Sequence, residues 1–451
     1  MVDDLRWDEF GAAGHPYLET PNIDRLAAEG ALFTQAFHAV SLCSPNRASI
    51  LTGQYPSRHG IIDNVSRARA SHRLATFPQA LQRVGYRTAF LGKWHMGNDP
   101  TPRPGFDYWV SFPGQGRSVN PELFEDGRLH QVEGYTTDLL TDRAVAFIER
   151  EAGRPFMLYL AHKAIHPDVT QLNDGSVDPS TPEQYVPAPR HRGRYAGKIF
   201  PRRGNAVATL DQLDQQPALR NALAELATTP DPGRGARIAG GDSVPEFTDE
   251  SIQHRAEMLL AVDEGLGRIL GALEAKGVLD RTAIIFTSDN GFFYGEHGLT
   301  VERRLPYEES IRNPLIIRYP ALARPGARPD ALTSSVDIAP TALELGGAPP
   351  GGTQGRSLVP VLRGDTAGWR RAVLVEFTSY ENPFPHLVDM DYRAVRTSRY
   401  KFVRWLKFPG MEELYDLQED SLEQHNLATR PAMAATRAEL EAELGRLVLD
   451  A

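Results

Sequence analysis

Three stretches of this chain leave charged, imidazole or amide side chains just beyond what read as apolar strands. "FLGKWH" carries Lys93 and His95, "LYLAHKAIH" carries Lys163 and His166, and "IIFTSDNG" carries Asp289 and Asn290. In open α/β sheets, ligands bind outside the carboxyl ends of strands, so three such clusters can converge on one site. Each cluster alone reads more readily as a solvated surface feature; the three together point to a site. "VDD" at 2–4 adds Asp3 and Asp4. Asp3, Asp4, Asp289 and Asn290 are hard oxygen donors, with no imidazole or thiolate pair at zinc spacing. That set suits Ca²⁺, or Mg²⁺, rather than zinc. Adjacent carboxylates repel unless a cation or water separates them, and near the head of a chain water screening is an equal reading.

The chain holds one cysteine, Cys43, in "SLCSPNRASILTG". A single thiol forms no internal disulfide, so the redox compartment is undetermined. An ordinary thiol has a pKa of about 8.5, lowered by nearby cations. Arg47 four residues on could therefore favour a thiolate nucleophile, with His95 or His166 as its base. The bland alternative is a small buried hydrophobe, and the flanks Ser44, Pro45, Asn46 and Arg47 are too polar for a core strand. A thiolate nucleophile beside a carboxylate metal site makes poor chemistry, so the thiol calls for another role.

The elements that must position these residues alternate short apolar runs with amphipathic helical stretches, the rhythm of an α/β protein with a largely parallel sheet. Residues 86–93, 154–163, 281–291 and 313–320 read as buried strands. The stretch 20–30 reads as a helix with Thr20 as N-cap, Pro21 at the first position and Gly30 past its end. A long amphipathic helix covers 249–277. Residues 167–246 form a long Pro-, Gly- and Asp-rich insertion whose basic cluster, 189–203, reads either as an anion contact or as a solvated charge run. A boundary near 355 separates a catalytic domain, 1–355, from a C-terminal subdomain, 356–451, with a small antiparallel sheet and a closing helix in 371–428.

Bulk properties narrow the partners. A net charge of −9 over 451 residues argues against nucleic acid or an anionic membrane. No apolar run reaches membrane-spanning length, and no signal peptide is visible.

"CSPNRASILTG" resembles the C-x-P-x-R-x-x-x-x-T-G signature of type I sulfatases, in the alkaline phosphatase-like superfamily, at Cys43, Pro45, Arg47, Thr52 and Gly53. "VDD", "TPNIDRLAAEG", "GKWH", "HKAIH", "SDNG" and "ELYDL" carry the resemblance along nearly the whole chain. It implies a large mixed, mainly parallel sheet flanked by helices. It also implies that a formylglycine-generating enzyme oxidises Cys43 to formylglycine, whose hydrate is the nucleophile. Ca²⁺ would be held by Asp3, Asp4, Asp289 and Asn290 with residue 43. Asp289 would accept the attacking proton and Arg47 would steady residue 43. Lys93 and Lys163 would offset sulfuryl charge, His166 would protonate the leaving alcohol, and His95 would take a proton as sulfate departs.

Two departures from the family stand out. Where it carries a lysine before its "YEES" tyrosine, this chain has Arg303 and Arg304. The apolar strand that usually precedes the Asp pair is missing, which suggests a truncated gene model. Periplasmic or secreted localisation is expected if a signal has been lost, and cytoplasmic otherwise. The stretches 102–116 and 134–148 resemble bacterial N-acetylglucosamine-6-sulfatases (the mucin-desulfating group). Phe106, Tyr108, Trp109 and Phe112 could stack on a sugar, although core packing is the better reading of each. The resemblance thus implies a sulfate ester hydrolase acting on a sulfated amino sugar. The alternatives are a formylglycine-dependent phosphonate monoester or phosphodiester hydrolase, and an inactive glycan-binding scaffold.

Overall fold

The computed structural model describes residues 1–178, 180, 181, 183–228, 247–301, 303–378 and 387–451. The strand Arg87–Gly92 pairs in parallel with Tyr108–Ser111 on one side and Phe156–Ala161 on the other. Glu122–Glu125 and Arg128–Gln131 extend this sheet with antiparallel pairs. A second group, Ala31–Phe33, Leu315–Arg318 and Ile284–Phe286, pairs antiparallel. Phe156–Ala161 and Ile284–Phe286 are each the last strand of their group.

Met1–Asp3 bridges these two strands at their carboxyl ends. The Met1 amine donates to Leu160 O at 2.8 Å, and Val2 N donates to Thr287 O at 3.0 Å. Asp3 N donates to Ala164 O at 2.9 Å. Below this bridge, along both strands, lies an apolar cavity of about 550 Å³, lined by Met1, Phe156, Leu158, Ile284, Phe286 and Leu273. Both strands therefore depart from the buried reading: most of their residues are half-buried because they border this cavity.

The helix Pro21–Glu29 starts on its proline, whose fixed φ and missing N–H suit a first turn. Thr20 does not cap it with its side chain; the hydroxyl donates to Asp24 at 3.0 Å instead. Thr248 does cap the long helix Asp249–Ala275, accepting from Ser251 N at 3.2 Å. The aromatics of 106–112 serve the core, with Trp109 stacked on Phe90 at 4.7 Å between ring centroids and Phe106 and Phe112 buried. Tyr108 stacks on Phe147.

In the basic cluster of 189–203, four of the arginines form ion pairs with acids elsewhere in the chain, and Arg190 and Arg194 do so at the exposed surface. Arg190 meets Asp138 and Glu264, Arg194 meets Glu19, Arg202 meets Asp249, and Arg203 meets Asp8. The insertion also holds the helix Pro217–Thr228, while its part 229–246 lies outside the described residues.

Towards the C-terminus, Ala372–Phe377, Tyr392–Thr397, Tyr400–Trp405 and Glu413–Asp416 form an antiparallel sheet. Leu374, Val395, Phe402 and Leu414 face Leu440 and Leu444 of the helix Ala434–Asp450. Residues on the opposite face, such as Val375, Val403 and Tyr415, join the main core. The closing helix thus lies beyond 412–428, where Leu414 and Tyr415 alternate faces with the period of a strand.

Candidate active site

Cys43 opens the buried helix Cys43–Thr52, which ends at Gly53 with φ +68°, a left-handed turn where a Cβ would also strike Thr353. Polar flanks coexist with burial here because each has a partner. Asn46 Nδ2 donates to Asp289 O at 2.6 Å, and Asn46 Oδ1 accepts from Ser335 Oγ at 2.6 Å. Ser44 Oγ donates to His95 O at 2.6 Å. The Cys43 thiol is 1% exposed. Burial pushes it up to about 12, with Lys93 pulling down and Asp289, Asp3 and Asp4 pushing up. Arg47 does not turn it into a thiolate, because that guanidinium belongs to a carboxylate. Its Nε and Nη2 lie 2.9 and 2.8 Å from Asp289 Oδ2.

Charges interleave around Cys43. Lys93 Nζ makes a short contact to Asp3 Oδ2, and Arg303 clasps Asp4 with Nε and Nη2, each at 2.7 Å. Lys163 Nζ lies 2.7 Å from Asp168 Oδ1. Burial raises the Asp3 carboxyl to about 7, with Asp289 adding to the rise. Burial also works to raise Asp289, but Arg47 and Lys93 outweigh it and hold that carboxylate well below the usual range. The two carboxyls of the pair are thus pushed apart, Asp289 down and Asp3 up. Of the two arginines before Tyr307, Arg303 is the one that clasps Asp4. Arg304 is buried, and its carbonyl accepts from the Tyr392 hydroxyl at 2.9 Å.

The oxygen donors fit a cation. One ligand atom each of Asp3, Asp4 and Cys43 lies within 4.8 Å of the other two. Asp3 Oδ1 and Asn290 Oδ1 are buried without a hydrogen-bond partner. Two orphaned oxygens beside paired carboxylates are what a hard cation would satisfy. Asp4 adopts φ 61°, outside the usual region for a residue with a Cβ. It is held by Arg303, by Asn290 Nδ2 at 2.7 Å and by its own N–H to Asp289 Oδ1 at 3.1 Å.

The two histidines complete the ring. His166 Nδ1 lies 2.8 Å from Pro167 O and must donate to it, which leaves Nε2 facing Asp4 Oδ2 at 4.0 Å. Burial, then Lys93, Arg303 and Lys163, hold His166 neutral. His95, at φ 66°, lies with Nδ1 3.2 Å from Ser44 Oγ and Nε2 against Gln171 Oε1. Burial first, then Lys93, depress its basicity well below normal. All ten residues singled out in the sequence thus gather around residue 43. Two partners escaped that reading. Asp168 had a visible signal, an acid two residues after His166. Gln171 had none, because a lone glutamine in an irregular segment carries no periodicity or spacing.

Residues 1–348 match the family model Sulfatase, and residues 295–450 match the model of the N-sulphoglucosamine sulphohydrolase C-terminal region. An N-acetylglucosamine-6-O-sulfatase of Bacteroides thetaiotaomicron is 33% identical, with 98% of this chain and 84% of its own length covered. Among solved structures, a protein in complex with its substrate D-glucosamine-2-N,6-O-disulfate has a TM-score of 0.81 at 31% identity, covering all of this chain and 96% of that one. A phosphonate monoester hydrolase of Agrobacterium radiobacter has a TM-score of 0.76 at 24% identity, covering 99% and 94%, a likeness of fold.

Proposed function

We propose, from the premise that this chain belongs to the sulfatase family and is a sulfuric ester hydrolase of alkaline phosphatase-like fold, that its substrate is an amino sugar sulfated at O6. The N-acetylglucosamine-6-O-sulfatase relative and the disulfated glucosamine complex support the choice of sugar. The working form carries formylglycine at position 43, made by a maturation enzyme that reads C-x-P-x-R, and Ca²⁺ on Asp3, Asp4, Asp289 and Asn290. When bound, the cation offsets ester charge and polarises the sulfuryl oxygens.

The side chains then divide the work. Burial raises the thiol of position 43, which disfavours the thiolate; a hydrated aldehyde there would instead present a hydroxyl for a neighbouring base to deprotonate. Asp289, kept ionised by Arg47, takes the proton of the attacking hydroxyl. Lys93, Lys163 and Arg303 face the charge that develops on the sulfuryl oxygens. Asp3, Asp4, Asp289 and Asp168 are matched by Lys93, Arg303, Arg47 and Lys163, a formally neutral set. A divalent cation makes that set positive, which favours an anionic ester. An anionic ester would offset part of the charge of Lys93, Arg303 and Lys163 that acts with burial on His166, so that His166 takes up a proton as substrate binds and donates it to the leaving alcohol. His95 serves position 43 in the release of sulfate.

The observation that carries this reading is the placement of Cys43 at the head of a buried helix, within ligand distance of Asp3 and Asp4 and inside that ring of cations. The test is hydrolysis by matured protein with Ca²⁺, comparing N-acetylglucosamine-6-sulfate with a phosphonate monoester at equal protein concentration. Preference for the sulfate ester supports the reading. Preference for the phosphonate moves the chain to the second activity, and no hydrolysis by protein with a verified aldehyde leaves only a glycan-binding role.

A further inference from the structure

We infer that Gln171 is a positioning residue for His95: its amide oxygen takes the Nε2 proton and leaves Nδ1, which faces Ser44 next to position 43, as the basic nitrogen. The inference rests on the reading of His95 as a participant in the reaction. A neutral imidazole carries one N–H, and its location follows from the partners of the two nitrogens. Nδ1 lies 3.2 Å from Ser44 Oγ and Nε2 meets Gln171 Oε1.

Ser44 cannot choose between the tautomers. Its hydroxyl is a rotor that now donates to His95 O at 2.6 Å and can equally turn towards Nδ1 or accept from it. Gln171 can choose, because a backbone carbonyl fixes which end of its amide faces the ring. Its Nε2 donates to Gly175 O at 3.0 Å, and a backbone carbonyl only accepts. Its Oε1 also accepts from Gln115 Nε2 at 3.0 Å. Turning the amide would set oxygen against the Gly175 carbonyl. The backbone around Gln171 is held as well, by bridges Gln171–Val177 and Asp168–Gln184, with Asp168 tied to Lys163 and to Ser118 N at 3.0 Å. The unprotonated Nδ1 thus faces Ser44, the residue next to position 43 on the same helix.

The experiment pairs kinetics with spectroscopy on the full chain. Gln171→Leu removes the acceptor; kcat for an N-acetylglucosamine-6-sulfate substrate should fall about 10²-fold, with KM within about threefold. Gln171→Glu keeps an acceptor for Nε2–H and should recover most of kcat. In ¹⁵N-histidine NMR of the unmodified chain, with His95 assigned from His95→Gln, the wild type and Gln171→Glu should show a protonated Nε2. Gln171→Leu should show a mixture or the opposite tautomer. An unchanged tautomer in Gln171→Leu overturns the inference. A changed tautomer with kcat unaltered overturns the participation of His95, and with it the positioning role.

Discussion

The strands Phe156–Ala161 and Ile284–Phe286 differ sharply between their two ends. At the carboxyl ends, buried carboxylates and cations alternate, each held by a named partner, and a chain of three residues closes the gap between the sheets. Along the rest of their length the same strands border an apolar cavity of about 550 Å³, which reaches up to Met1 and Val2. Order at the carboxyl ends is electrostatic and tertiary, since each charged group is held by a partner from another part of the fold. Breaking a buried ion pair costs about 3–5 kcal/mol, whereas filling apolar space recovers about 0.5–2 kcal/mol. Perturbations at the polar end should therefore be large and specific, and those at the apolar end small and confined to stability.

The largest effect is expected at Cys43. Cys43→Ala should lower turnover by about 10⁴-fold or more, with the melting temperature within a few degrees of wild type. Mass spectrometry of the tryptic peptide 26–47 should show an aldehyde in place of the thiol in matured wild type. Persisting turnover in the variant would remove residue 43 from the chemistry. Asp289→Asn comes next, with activity down by about 10³-fold and stability down by about 3–5 kcal/mol, because Arg47 loses its buried partner. Stabilisation by added Ca²⁺ should vanish with it in a thermal scan, and a retained Ca²⁺ response would clear Asp289 of metal binding. Arg303→Ala should cost about 10²-fold in kcat/KM, while Arg303→Lys should stay within about tenfold of wild type, since one of the two contacts to Asp4 survives. Equal losses in both would assign the role to the guanidinium fork rather than to its charge.

A pH series sharpens the contrast further. Burial raises Asp3 to about 7, so below that pH the carboxyl holds a proton that a metal ligand must give up. The rise in melting temperature from excess Ca²⁺ over chelator should therefore be full near pH 8 and shrink as pH falls through about 7. An equal rise at pH 6 and pH 8 would place Asp3 outside the metal site.

How much of this could be read from residues alone follows the same divide. Lys93, His95, Lys163, His166, Asp289 and Asn290 were visible because strand periodicity stops and chemistry begins immediately after it. The Cys43 stretch was legible as a motif, while its burial was not: polar flanks mislead until Asn46 and Ser44 are seen to bond Asp289 O and His95 O across the fold. The basic cluster 189–203 stayed open between two readings, since the acids that neutralise Arg190 and Arg202 lie 47 to 74 residues away in the chain. The half-buried state of Phe156–Ala161 and Ile284–Phe286 was hidden as well. A central strand and a cavity-lining strand share one apolar composition and differ only in what packs beside them.

The smallest expected effect tests the apolar end. Ala342 lines the cavity from the helix Ile338–Leu345 and is only half-buried. Ala342→Leu keeps a strong helix former and adds apolar volume where there is room, so stability should rise by about 0.5–1 kcal/mol and the melting temperature by about 1–2 °C. Ala342→Asp places an unpaired charge against the same surface and should lower stability by about 1–3 kcal/mol. In both variants kcat should match wild type, because no residue of the charged ring touches that helix face. A change in kcat would mean that the two ends of these strands are mechanically coupled, with cavity packing setting the reach of Met1–Asp3 across the gap. A loss of stability in Ala342→Leu would mean that the space is already filled in solution.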